Sequence, residues 1–191
     1  AGDSIAQQNT NIVSSTYNYM ARGPVSWMLS YLGWPWEMQP SDNYAVFGTT
    51  LDIIIRDQLP LILAANTTRK YQRCFLSCGT NDTNAGTPVE TIKGYLTTLF
   101  TALNSAGITP VHTGIRPRGN DGSLTTAKQA NQQLNDWLYV LGSTGFIEFI
   151  DCTEVYANNA TAFGNVLTTL VYDSGTTILH PNNRGANLEG K

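Results

Sequence analysis

Along this chain the spacing of apolar positions switches between the alternation of a strand and the repeat of a helix. Residues 43–47 (NYAVF) predict a short strand, and 50–65 (TTLDIIIRDQLPLILA) predict a helix bent or restarted at Pro60. Residues 71–78 (YQRCFLSC) predict a second strand, followed by GTND and a polar loop. Thr87, Pro88 and Glu90 form a capping-box start for a helix that runs to about Ala106 and stops at Gly107. Residues 109–115 (TPVHTGI) predict a strand, RPRGNDG a loop, about 124–141 a long helix, and 146–151 (FIEFID) a further strand. A Thr/Asn-rich stretch with a helix over about 160–171 leads to ILHPNN. Strands alternating with helices of this length imply βαβ units and a parallel sheet covered on both faces. Sites in such sheets gather beyond the carboxyl ends of the strands. The polar clusters GTT, GTND and RPRGND follow the 43–47, 71–78 and 109–115 segments there.

Composition narrows the picture. At 191 residues the chain fits one domain with its own core. Charged residues are 13%, about half the usual share, against 41% apolar, which argues against disorder. A net charge of −3 and a pI near 5.2 offer phosphates no basic field, so no nucleic-acid partner is expected. No apolar run approaches the roughly 20 residues of a membrane span, and no basic, apolar leader opens the chain. The Asn-x-Thr sequons at Asn66, Asn81 and Asn159 are expected by chance in a chain this rich in Thr and Asn. Its low Lys content leans toward an extracellular or virion-surface protein.

Candidate chemistry is sparse when each residue is taken alone. Cys74, Cys78 and Cys152 are odd in number and read as small buried side chains; Cys74 and Cys78, four apart in a strand, would lie roughly 13 Å apart, too far for a bridge. There is no HExxH, paired-Cys or EF-hand spacing, so no metal and no cofactor are expected. GANLEGK at 185–191 lacks the strand and the Ser/Thr of a phosphate loop, and the G-x-S-x-G elbow is absent. Of the two histidines, His112 lies between Val111 and Thr113 and reads as a packed strand residue, whereas His180 precedes Pro181 in a polar loop.

Four short segments change this when taken in order. AGDSIAQQN carries Ser4, DNYAVFGTT carries Gly48, SCGTND carries Asn81, and YDSGTTILHPN carries Asp173 and His180. The pattern resembles the SGNH (GDSL-type) hydrolase family over residues 2 to 185, whose four blocks bring Ser, Gly, Asn and His in that order. The resemblance implies a three-layer α/β/α sandwich, flavodoxin-like, with a mainly parallel central sheet. It implies that Ser4 attacks an acyl carbon and that His180 serves as general base, then acid. It also implies an oxyanion hole made of the Ser4 N–H, the Gly48 N–H and the Asn81 amide. The physics agrees: ester cleavage needs a nucleophile, a proton acceptor and donors aimed at the developing charge.

Two departures stand out. The family's acid sits three residues before the histidine, where this chain has Thr177. Asp173 is the expected partner of His180, with a backbone carbonyl or Thr177 as the alternative; Asp151 reads as a strand-end residue. An apolar strand precedes GDS in the family, and a closing helix follows HPN. Here the single expected domain, 1–191, carries only Ala1 before GDS and NRGANLEGK after HPN, so it reads as lacking its first strand and final helix. Trp34 and Trp36, with Tyr31 nearby, could form an aromatic platform for sugar rings; Arg116 and Arg118 could line the mouth. The expected activity is removal of short acyl groups, above all O-acetyl, from a small-molecule or glycan ester. The alternatives are a thioesterase or arylesterase acting on small lipophilic esters, and an inactive carbohydrate-binding module of the same fold.

Overall fold

The segments expected as strands at 71–78, 109–115 and 146–151 join one parallel sheet in the computed structural model, which describes residues 1–3, 40–116 and 125–152. Their regular parts are shorter than the apolar runs: β1 Arg73–Leu76, β2 Thr109–His112 and β3 Glu148–Phe149. The order is β1-β2-β3, with Arg73 opposite Thr109, Leu76 opposite His112, and Val111 opposite Glu148. On the outer side of β1, Gly2 forms a parallel bridge to Ser77; the Asp3 N–H donates to the Ser77 carbonyl at 3.1 Å. β2 is central among these strands. Its His112 meets the core edge-on to Phe100, and the oppositely pointing Val111 is buried as well. Burial on both faces is the mark of a strand inside a parallel sheet.

Helices flank this sheet. α1 Leu51–Ile53 widens into a π-helical turn, Ile54–Gln58, and continues as α2 Leu59–Arg69. The break expected at Pro60 is therefore a widening just before it, with the proline in the first turn of α2, where its missing N–H costs little. GTND, expected as a turn entering a loop, instead opens the short helix α3, Thr80–Asn84. α4, Val89–Ser105, aligns Ile92, Leu96, Leu99, Phe100 and Leu103 on one fully buried stripe. Each such side chain contributes roughly 1.5–3 kcal/mol of transfer free energy. The α4 end is a Schellman closure: Ile108 N–H donates to Leu103 and Gly107 N–H to Asn104, both at 3.0 Å. Its start differs from the expected capping box. Pro88 is the N-cap without a side-chain bond, and Glu90 accepts from Lys93 at 2.8 Å instead. α5, Thr125–Ser143, buries Leu134 and Leu138 together with the polar Lys128, Asn131 and Asn135.

The segment 43–47 is not a strand. Asn43 Oδ1 takes the Ala45 N–H at 3.2 Å, which diverts it from any ladder; Val46 N–H still reaches the Gly2 carbonyl at 3.1 Å. The Tyr44 hydroxyl lies 3.1 Å from that of Tyr71, which donates to Asp42 Oδ1, and this chain of contacts steadies the segment. The helix expected over 160–171, the RPRGNDG loop beyond Arg116 and the C-terminal stretch lie outside the described residues.

Candidate active site

Three of the four sequence blocks meet at the carboxyl rim of β1. The Gly2 carbonyl accepts from Thr49 Oγ1 at 3.1 Å and from Val46 N–H; the Asn81 amide donates to the Thr49 carbonyl at 2.9 Å. Gly2 is held from a third side by Gln58. That amide accepts the Gly2 N–H and donates to the Gly2 carbonyl, both at 2.9 Å, as a neighbouring strand would. Gln58 is buried, and it ends the π-helical turn. The widened turn and this polar side chain therefore fix the backbone two residues before Ser4.

Gly48 sits at the third position of a reverse turn over 46–49. The Val46 carbonyl accepts from Thr49 N–H and, at 2.9 Å, from Thr49 Oγ1. Gly48 has φ +75°, and Lys70 is the one non-glycine with positive φ among the described residues, so Phe47 has negative φ. That combination is a type II turn, which requires glycine at its third position. A Cβ at Gly48 would meet nothing within 4 Å, so backbone conformation and not crowding selects the glycine. The Gly48 N–H belongs to the turn's central peptide and donates to no acceptor among the described residues.

Asn81 stands on a different foundation. Gly79, with φ +97°, lets the chain turn from β1 into α3, and a Cβ there would come within 2.9 Å of the Ile115 side chain. Thr80, Asp82 and Thr83 are buried while Asn81 is half-buried, facing the Gly48 turn. An amide nitrogen carries two hydrogens, and the Thr49 carbonyl takes one. Asp82 spans the two loops: both its oxygens accept from Leu51 N–H at 3.1 Å, capping α1 from outside. Burial raises its pKa above the usual carboxylate value despite that bond.

Beneath Asn81, Cys78 Sγ lies 3.6 Å from His112 Nε2. Gly114 N–H donates to His112 Nδ1 at 3.0 Å, so the proton of the neutral ring sits on Nε2 and points at sulfur. Burial pushes the His112 pKa down to about 4. Burial, with Asp3 and Asp82 nearby, pushes the Cys78 thiol well up, so it stays protonated and unreactive. His112 is the packed strand residue expected, and all three cysteines are buried and outside any disulfide.

Arg116, expected at the mouth, is buried instead of solvated and donates to Ser77 Oγ at 3.0 Å. The loop before it is clamped by α5. Asn135 accepts from Ile115 N–H at 2.7 Å and donates to its carbonyl at 2.8 Å, and Asn131 donates to the Arg116 carbonyl at 3.2 Å. Ser4, Tyr31, Trp34, Trp36, Arg118, Asp173, Thr177 and His180 lie outside the described residues. Asp151 is exposed, just past β3. The amide nitrogens of the sequon residues Asn66 and Asn81 each donate one hydrogen bond to a backbone carbonyl. Sequence reasoning missed Thr49, Gln58, Asp82 and the α5 amides. The signal was present for Gln58, a polar residue inside IIIRDQLPLIL, and for the polar positions on α5's inner stripe.

A sequence model of the GDSL-like lipase/acylhydrolase family matches residues 1–188, nearly the whole chain. The chain belongs to that family. This GDSL hydrolase is accordingly a carboxylic ester hydrolase, and its parallel sheet with flanking helices is the SGNH fold. Its structure resembles that of TesA at a TM-score of 0.68 and 17% identity, over 98% of this chain and 90% of that one. It also resembles an acetyl esterase mutant with acetate ion (TM-score 0.59, 19% identity, 88% and 85% covered). A carbohydrate esterase family 3 protein from Talaromyces cellulolyticus is similar at 0.58 and 19%, over 88% of this chain and 84% of that one. No curated protein matched the chain. Among the described residues of this hydrolase no helix is long and apolar enough to cross a membrane, and no acidic, Cys and His side chains cluster to hold a metal ion.

Proposed function

We propose that the protein removes short acyl groups, O-acetyl above all, from a carbohydrate ester through an acyl-enzyme. Ser4 attacks the acyl carbon, and His180 takes its proton and later returns it to the leaving alcohol. Asp173 orients the imidazole. The oxyanion is held by the N–H groups of Ser4 and Gly48 and by the second amide hydrogen of Asn81. Trp34 and Trp36 bear on the sugar. Arg116, buried on Ser77, supports the floor of the site from within.

The observation that carries the reading is the polar lacing of Gly2, Thr49 and Asn81, which sets two donors beside the residue after Asp3. An undonated Gly48 N–H and a half-committed Asn81 amide suit a ligand oxygen. The acetyl choice draws on the acetyl esterase and the carbohydrate esterase among the similar structures. The test is hydrolysis of p-nitrophenyl acetate and of an acetylated sugar. Ser4→Ala is expected to lower kcat by at least about 10³-fold with the fold intact; wild-type rates in that variant would refute the nucleophile. Asp173→Asn is expected to lower turnover steeply while Asp151→Asn does not.

A further inference from the structure

The described surface carries two exposed apolar side chains directly beside the site: Phe47, 70% exposed, and Val46, 51% exposed. Exposed single apolar residues are ordinary. These two differ because they occupy the first half of the type II turn whose third residue is Gly48. The backbone of the turn is fixed where it stands, because Val46 is tied through its N–H to Gly2 and through its carbonyl to Thr49. Covalent geometry does the rest. The Phe47 Cα lies about 2.5 Å from the Gly48 nitrogen across one planar peptide. A carbonyl oxygen accepting from that N–H would sit about 2.9 Å beyond it. A phenyl ring on that Cα is therefore a near neighbour of an ester bound at this donor, positioned to border one of its substituents. The space on the glycine side is open, since a Cβ there would touch nothing within 4 Å.

From this placement we infer that Phe47, with Val46 beside it, is a specificity-determining contact that selects esters bearing an apolar substituent next to the reacting carbonyl. The inference rests on Gly48 N–H as an oxyanion donor and adds the substrate chemistry that this donor's turn selects. The substituent belongs either to the acyl chain or to the alcohol, and the two sources are separable by experiment. An apolar sugar face, an aryl group or a short alkyl chain all present the surface a phenyl ring covers.

The test measures kcat/KM for the full chain and for Phe47→Ala and Phe47→Leu in two ester series. One lengthens the acyl group from acetyl to octanoyl on p-nitrophenol; the other keeps acetyl and enlarges the alcohol from methyl through benzyl to an acetylated pyranoside. Phe47→Ala is expected to lower kcat/KM about tenfold at the large end of one series, mainly through KM, and several-fold less at its small end. Phe47→Leu should recover most of that selectivity. The series that shows the gradient identifies the part of the ester that Phe47 covers. An equal loss at every size, or none at either end, overturns the inference. Ser4→Ala assayed alongside keeps the two readings apart: if it retains turnover, the proposed nucleophile is wrong whatever Phe47 does. A wild-type chain that hydrolyses neither series overturns both.

Discussion

The two loops that meet at the rim of β1 are built on opposite principles. The Gly48 turn is flanked by exposed Val46 and Phe47 and is held by hydrogen bonds to Gly2 and Thr49. The Gly79–Asn81 loop rests on packed material: Ile115 against Gly79, and Cys78 on His112 below. Both need a glycine with positive φ, but one glycine faces open space and the other a buried side chain. A site assembled this way has one donor on a rigid footing and one on a polar hinge. The turn can vary its side chains at little cost to the fold, so selectivity belongs there. The packed loop cannot vary without disturbing the core.

Between the two loops, the largest effect is expected from Asn81→Ala. Loss of one oxyanion donor should lower kcat on p-nitrophenyl acetate by about 10²–10³, equivalent to about 2.7–4 kcal/mol in the barrier. A drop under threefold would remove Asn81 from the proposed hole. Acid should come next, and it should strike the packed loop. The His112 pKa lies near 4 against an ordinary 6.5, so the unfolded chain takes up a proton that the folded chain refuses. The stabilisation is whole above pH 6.5 and is lost as pH falls from there through about 4, amounting to roughly 3 kcal/mol. Asp82, held above the usual carboxylate value, pulls the opposite way as its burial cost is relieved in acid. The difference between urea-unfolding curves of wild type and His112→Gln therefore isolates the histidine; parallel curves would contradict its neutral burial.

The paired glycine variants sharpen the contrast most directly. Gly79→Ala combines backbone strain with a displaced Ile115 and should cost about 2–3 kcal/mol in thermal or urea unfolding. Gly48→Ala meets no neighbour and should cost about 1 kcal/mol, the strain alone. It should nonetheless lower turnover at least about tenfold, because relief of the strain rotates the peptide that carries the N–H. Equal stability losses in the two variants would erase the distinction between the loops.

Much of this was legible in the chain itself. The stripe of Ile92, Leu96, Leu99, Phe100 and Leu103 predicts α4 because a helix brings those spacings to one face. Burial of His112 followed from its place inside a strand pattern. The segment 43–47 misled because NYAVF has a strand's alternation, while Asn43 binds the next turn of its own backbone. GTND read as a turn because Gly, Thr, Asn and Asp favour turns; its helix exists where Asp82 and the packing of Ile115 hold it. The role of Gln58 was hidden for a different reason. Its partner, Gly2, lies 56 residues away, and the registration depends on a π-helical widening that no local pattern announces.

The sequence by itself determined the order of elements, the parallel sheet and the four blocks, because periodicity and short motifs are local and their chemistry travels with residue type. Only the tertiary structure decided that Gly2, Thr49 and Asn81 share one chain of hydrogen bonds, that Arg116 is buried under Ser77, and that the Asn81 loop rests on Ile115 while the Gly48 turn is held by hydrogen bonds. Those outcomes depend on contacts between distant segments, and the free energy of such contacts is set by burial and geometry that exist only once the chain has closed on itself.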